Sequence, residues 1–63
     1  MTAEAFNRWL VLMVERNRAR DEAHCAELLG ITPETKRTYK RKGCDVRTAL
    51  ACRALVHWLE PFA

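Results

Sequence analysis

Only four residues in this chain interrupt a regular backbone by their own chemistry: Gly30, Pro33, Gly43 and Pro61. A chain of 63 residues with two glycines and two prolines is poorly suited to a loop-rich β module, and its apolar residues keep helical spacing between the breaks. Phe6, Trp9, Leu10, Met13 and Val14 recur at i, i+3, i+4, i+7 and i+8, which predicts an amphipathic helix over 3–15 behind a Thr2 cap, with Trp9 and Met13 in the core. Arg8, Glu15 and Arg16 fall off that stripe, and Asn17 with Arg18 to Arg20 makes a connection. Asp21 then caps a short second helix over 21–29, with Glu22 in its first turn and Cys25, Ala26, Leu28 and Leu29 as its buried side, before Gly30 stops it. Thr32, Pro33 and Glu34 supply a hydroxyl cap, a proline at the first helical position and a first-turn acid, so a third helix is expected over 33–41 with Gly43 as a left-handed cap. Asp45 caps a fourth helix over 45–60, which Pro61 blocks from continuing. The expected fold is all-α: one small four-helix domain spanning 1–63.

A chain this short buries only about 60% of the surface that its unfolded form exposes, so a partner subunit is expected to complete the core. The fourth helix points the same way. Its polar residues Arg53, His57 and Glu60 make one stripe, whereas Val46, Leu50, Ala51, Ala54, Leu55, Trp58 and Leu59 cover more of the circumference than one core contact uses. Either the first helix wraps the surplus or a second copy does. A homodimer with Leu55, Trp58, Leu59 and Phe62 at or near its interface is the expectation. The longest apolar run, Trp9 to Val14, falls far short of the roughly 18 residues of a membrane span, and no leader pattern opens the sequence, so a cytoplasmic protein is expected.

Eleven Lys and Arg against eight Asp and Glu leave a net charge of +3, which says little until its distribution is read. Lys36, Arg37, Lys40, Arg41 and Lys42 lie together with no acid between Glu34 and Asp45. Such a cluster is the footprint of phosphate binding, or else a solvated helix face. Cys25, Cys44 and Cys52 cannot all pair within one chain, and with His24 and His57 they offer none of the spacings that organise a zinc site, so no metal is expected and Cys25 and Cys52 read as small buried hydrophobes. His24 reads as a helix-surface residue and His57 as part of the polar stripe. Nothing resembles a glycine-rich phosphate cradle or a nucleophile elbow, and so small a domain has little volume for a substrate pocket. No enzymatic activity, cofactor or small-molecule substrate is expected.

Two short helices joined through Gly30 and Ile31, the second basic and anchored only by Ile31 and Tyr39, form a helix-turn-helix pattern. The segment from Ala23 to Leu55, about half the chain, resembles the lambda-repressor-like family of phage and bacterial regulators, which includes the Cro and Xre types. The resemblance is carried by Ala26, which lets the two helices approach; by Leu29, Gly30 and Ile31 in the turn; and by Thr32, Thr35 and Tyr39 as cap, interior residue and aromatic anchor of the third helix. The stretch Asp45 to Leu55 is similar to the helix that closes many short members, and the layout is similar to that of short anti-CRISPR-associated autorepressors. Where the family usually places an aliphatic residue near the middle of the third helix, this chain has Lys36. Its stem can cover the core edge while the ammonium reaches toward DNA, or the helix is rotated and Lys36 takes a reading role.

In that family the third helix lies in the major groove with its N-terminal half toward the base edges. The resemblance therefore implies Glu34, Arg37 and Thr38 as base readers, Arg37 foremost because a guanidinium can bond guanine O6 and N7 together. Thr32, Lys36, Lys40, Arg41 and Lys42 are implied as backbone contacts that set register. Glu34 is equally well explained as a first-turn acid that serves the helix dipole. The implied function is a dimeric, sequence-specific repressor of phage or mobile-element origin that occupies an inverted-repeat operator on double-stranded DNA. The alternative is a small helical protein-binding module, such as a phage inhibitor of a host enzyme, whose basic helix meets an acidic surface.

Overall fold

A computed structural model describes residues 1–57. It consists of four helices: α1 (Ala3–Glu15), α2 (Glu22–Leu29), α3 (Pro33–Lys42) and α4 (Val46–Val56). All four begin at the polar residues that the sequence supplies. Thr2 Oγ1 accepts from the Ala5 amide at 3.1 Å, Asp21 Oδ1 from His24 at 2.9 Å, Thr32 Oγ1 from Thr35 at 3.1 Å and Asp45 Oδ1 from Thr48 at 2.9 Å, so each cap satisfies one amide that the helix itself cannot. The fourth helix is described to Val56 with His57 at its C-cap. Trp58, Leu59 and Phe62, expected at a subunit interface, lie outside the described residues, as does Pro61.

The three connections end their helices in different ways. After α1, Asn17 takes a left-handed conformation (φ 58°), and the Arg18 amide reaches back to the Met13 carbonyl at 2.8 Å. Asparagine tolerates this region better than most side chains, so α1 closes without a glycine. After α2, Gly30 is left-handed (φ 72°, ψ 31°), and the Ile31 amide bonds to the Ala26 carbonyl at 3.0 Å. Gly43 departs from the expected left-handed cap. Its φ is 88° but its ψ is −174°, so the chain leaves α3 in a stretched conformation that essentially only glycine adopts. The reason is the neighbouring strand of chain: Met1 and Cys44 exchange two main-chain hydrogen bonds, each 3.0 Å, and a Cβ on Gly43 would run into the Met1 carbonyl oxygen.

Phe6, Trp9, Leu10, Met13, Ala19, Cys25, Cys52 and Val56 form the core, with Leu12, Leu29, Tyr39, Cys44 and Leu55 packed against it. The Phe6 ring lies 5.6 Å from Trp9 and meets Tyr39 edge-on at 5.5 Å, which ties α1 to α3. Polar side chains of the α1 region reach carbonyls in the C-terminal halves of α3 and α4. Trp9 Nε1 donates to the Cys52 carbonyl at 2.8 Å, Asn7 Nδ2 to the Lys40 carbonyl at 2.9 Å, and Arg18 Nε to the Val56 carbonyl at 3.3 Å.

Two residues expected on buried faces are exposed. Val14 lies past the packed part of the α1 stripe, where the chain turns away at Asn17, and Leu28 sits one residue step around α2 from the inward-facing Leu29. Cys25 and Cys52 are fully buried and all three cysteines are free thiols. Among the described residues no helix is long and apolar enough to cross a membrane.

Candidate nucleic-acid interface

The turn through Gly30 and Ile31 delivers the chain to Thr32, whose hydroxyl caps α3 and also lies 3.0 Å from the Thr35 hydroxyl. Pro33 follows at the first helical position. From there one side of α3 is used for anchoring. Tyr39 turns inward onto Phe6, while Thr35 and Lys36 are half-buried on the same side. The opposite side carries Glu34, Arg37, Thr38 and Arg41 at i, i+3, i+4 and i+7, a spacing that lines up side chains along one helix face. Glu34, Arg37 and Arg41 are exposed, and Thr38 is half-buried with its hydroxyl donating to the Glu34 carbonyl at 3.1 Å. The three residues expected to read bases therefore share one outward face. Arg41, expected as a backbone contact, lies on that face as well, one turn beyond Arg37.

The remaining cations divide. Lys42 is exposed beside Arg41 in the last turn of α3, where positive charge complements the helix dipole. Lys36 and Lys40 lie on the flank that faces α2, and there a carboxylate meets them. Glu22 Oε1 is 2.8 Å from Lys40 Nζ and 3.6 Å from Lys36 Nζ. The Lys36 side chain is only 17% exposed, so its stem covers the core edge, as the sequence allows, but its ammonium ends at Glu22. The hydrogen bond from Lys40 holds the Glu22 carboxyl below its ordinary value; partial burial works against this, and the charges of Lys40 and Lys36 add to it.

Glu22 is the member of this charge cluster that local pattern misses. It stands 14 residues before Lys36 and 18 before Lys40, and the helix dipole alone suffices to explain an acid in the first turn of α2. The signal is the packing of α2 and α3 across the Gly30–Ile31 turn, which sets the start of α2 against the flank of α3.

The expected interface residue Leu55 is half-buried and packs on the core of its own chain. The surplus of apolar surface on α4 is real but lies on the far side, where Val46 is 71% and Leu50 63% exposed. They stand one turn apart and so form a single patch. His24 is half-buried, its Nδ1 accepting from the Arg20 amide at 3.0 Å. Among the described residues no three His, Cys, Asp or Glu side chains converge as metal ligands would. Comparison with family models, curated proteins and solved structures yields no match to this chain.

Proposed function

We propose that this protein is a sequence-specific double-stranded DNA-binding repressor, acting in the cytoplasm as a homodimer on an inverted-repeat operator, with α3 in the major groove. The observation that carries this reading is the division of α3: the aromatic anchor faces the core, and Glu34, Arg37, Thr38 and Arg41 form an outward face at helical spacing. A helix held by one edge and presenting two guanidiniums is built to enter a groove. Arg37 is the principal base reader, through the two-pronged bond to guanine, and Arg41 and Lys42 grip phosphate. The exposed Val46 and Leu50 support self-association through α4, joined by the apolar Trp58, Leu59 and Phe62 of the sequence. Occupying an operator would exclude polymerase, and the layout fits a phage or mobile-element regulator.

A mobility-shift assay against duplex recovered by in vitro selection and against random duplex tests the reading. Selected duplex should bind more tightly, Arg37→Ala should lose about 1–3 kcal/mol on it and much less on random sequence, and Arg37→Lys should not restore the loss. Equal losses on the two duplexes would remove Arg37 from base reading. Failure to bind any duplex would favour a protein-binding module instead.

A further inference from the structure

We infer that Glu22 limits the sequence-independent grip of this interface by holding Lys36 and Lys40 away from the phosphate backbone. This rests on the DNA-binding reading above. Of the five cations on α3, two converge on this one carboxylate, at 2.8 and 3.6 Å. Arg37, Arg41 and Lys42 have no carboxylate within ion-pair distance among the described residues. Glu22 is fixed where it is because it opens α2 directly after the Asp21 cap, and the turn folds that end of α2 against the α3 flank.

A duplex seated on the outward face of α3 would run its backbone past this flank. The start of a helix ordinarily favours a phosphate there, through its amides and its dipole. Here the position carries two carboxylates, Asp21 and Glu22, and the two lysines nearest to it are already engaged. Attraction to any sequence of DNA is thereby reduced, while the outward face that distinguishes one sequence from another is left intact. Phosphate contacts carry no sequence information, so an operator loses the same attraction as any other duplex, and the reading of sequence is left to the outward face. Glu22 is on this account a residue that sets the overall affinity for DNA and its salt dependence while touching no base.

The test is a salt titration of binding to a random-sequence 20-base-pair duplex, with wild type, Glu22→Gln, and Glu22→Gln carrying Lys36→Met and Lys40→Met. Each lysine released to a phosphate should steepen the dependence of log K on log salt by about 0.9, so Glu22→Gln should steepen it by about one to two units. At 0.1 M salt that corresponds to about eightfold tighter binding per lysine recruited. The triple variant should return to the wild-type slope. In the wild-type background Lys36→Met should leave the slope unchanged, which tests the same inference without altering Glu22. An unchanged slope for Glu22→Gln, or weaker binding by it, overturns the inference while wild type still binds DNA. Absence of salt-dependent binding by wild type would instead overturn the DNA-binding reading and the inference with it.

Discussion

Replacing Gly43 with alanine should cost far more than replacing Gly30, although both glycines end a helix with positive φ. At Gly30 (φ 72°, ψ 31°) an added Cβ meets nothing within 4 Å, so only the left-handed penalty applies, about 1–2 kcal/mol. At Gly43 the φ of 88° with ψ of −174° lies in a region closed to other residues, with strain of about 1–3 kcal/mol. The Cβ would also displace the Met1 carbonyl, and with it the two hydrogen bonds between Met1 and Cys44, each worth about 0.5–1.5 kcal/mol. The sum is about 2–6 kcal/mol, against a total stability of about 3–9 kcal/mol for a domain of this length. Urea denaturation of wild type, Gly30→Ala and Gly43→Ala measures both costs on one scale. Asparagine separates the causes further: Gly30→Asn should recover part of the alanine loss, whereas Gly43→Asn should not, because asparagine visits the left-handed region but not its extended neighbour. A Gly43→Ala variant no less stable than Gly30→Ala would refute the structural account of the α3–α4 connection.

Phe6→Ala removes the ring that bridges Trp9 and Tyr39 and should cost about 3–5 kcal/mol, enough to leave much of the protein unfolded in a thermal melt; retention of more than half the wild-type stability would mean that α1 does not position α3. Burial pushes the Cys52 thiol from the usual 9.0 up to about 12, so the folded state favours the protonated form. Its contribution is complete below pH 9 and is lost progressively between 9 and about 12; Cys52→Ala should flatten this alkaline decline, and an identical pH profile for the variant would count against it. Half-buried Cys44 should react with a thiol reagent before the fully buried Cys25 and Cys52, and simultaneous modification of all three in native buffer would contradict the core described above. Val46→Asp with Leu50→Asp should shift the sedimentation behaviour toward monomer with little loss of helix, and an unchanged dimer would place the contact elsewhere.

Features governed by neighbours along the chain are legible in the sequence itself. Thr2, Asp21, Thr32 and Asp45 announce their helices because a cap acts over three residues, and the inward turn of Phe6, Trp9, Leu10 and Met13 follows from period alone. Period is less informative at the margins. Val14 satisfies the α1 spacing but lies where the packed partner has ended, and Leu28 is apolar on a helix of only eight residues, too short for a pattern to tell flank from face. The candidate site divides along the same line. The outward placement of Glu34, Arg37 and Thr38 follows from the single anchor Tyr39, whereas the engagement of Lys36 and Lys40 by Glu22 needs the angle at which α2 and α3 cross. Gly43 reads locally as a helix stop, but its extended ψ depends on Met1, more than forty residues away.

The three carbonyls that α1 and its following residues reach, at Lys40, Cys52 and Val56, impose an order of events on the making of the protein. Asn7, Trp9 and Arg18 leave the ribosome well before their acceptors do. Until those acceptors appear, the apolar stripe of α1 has only the earlier part of the core, such as Cys25 of α2, to pack against, and its two aromatic residues remain largely open to solvent or to a chaperone. The α2–α3 pair, although local in sequence, shares that dependence, since Tyr39 has Phe6 as its ring partner. The complete core draws on all four helices, so it is expected to form only once α4 has been synthesised.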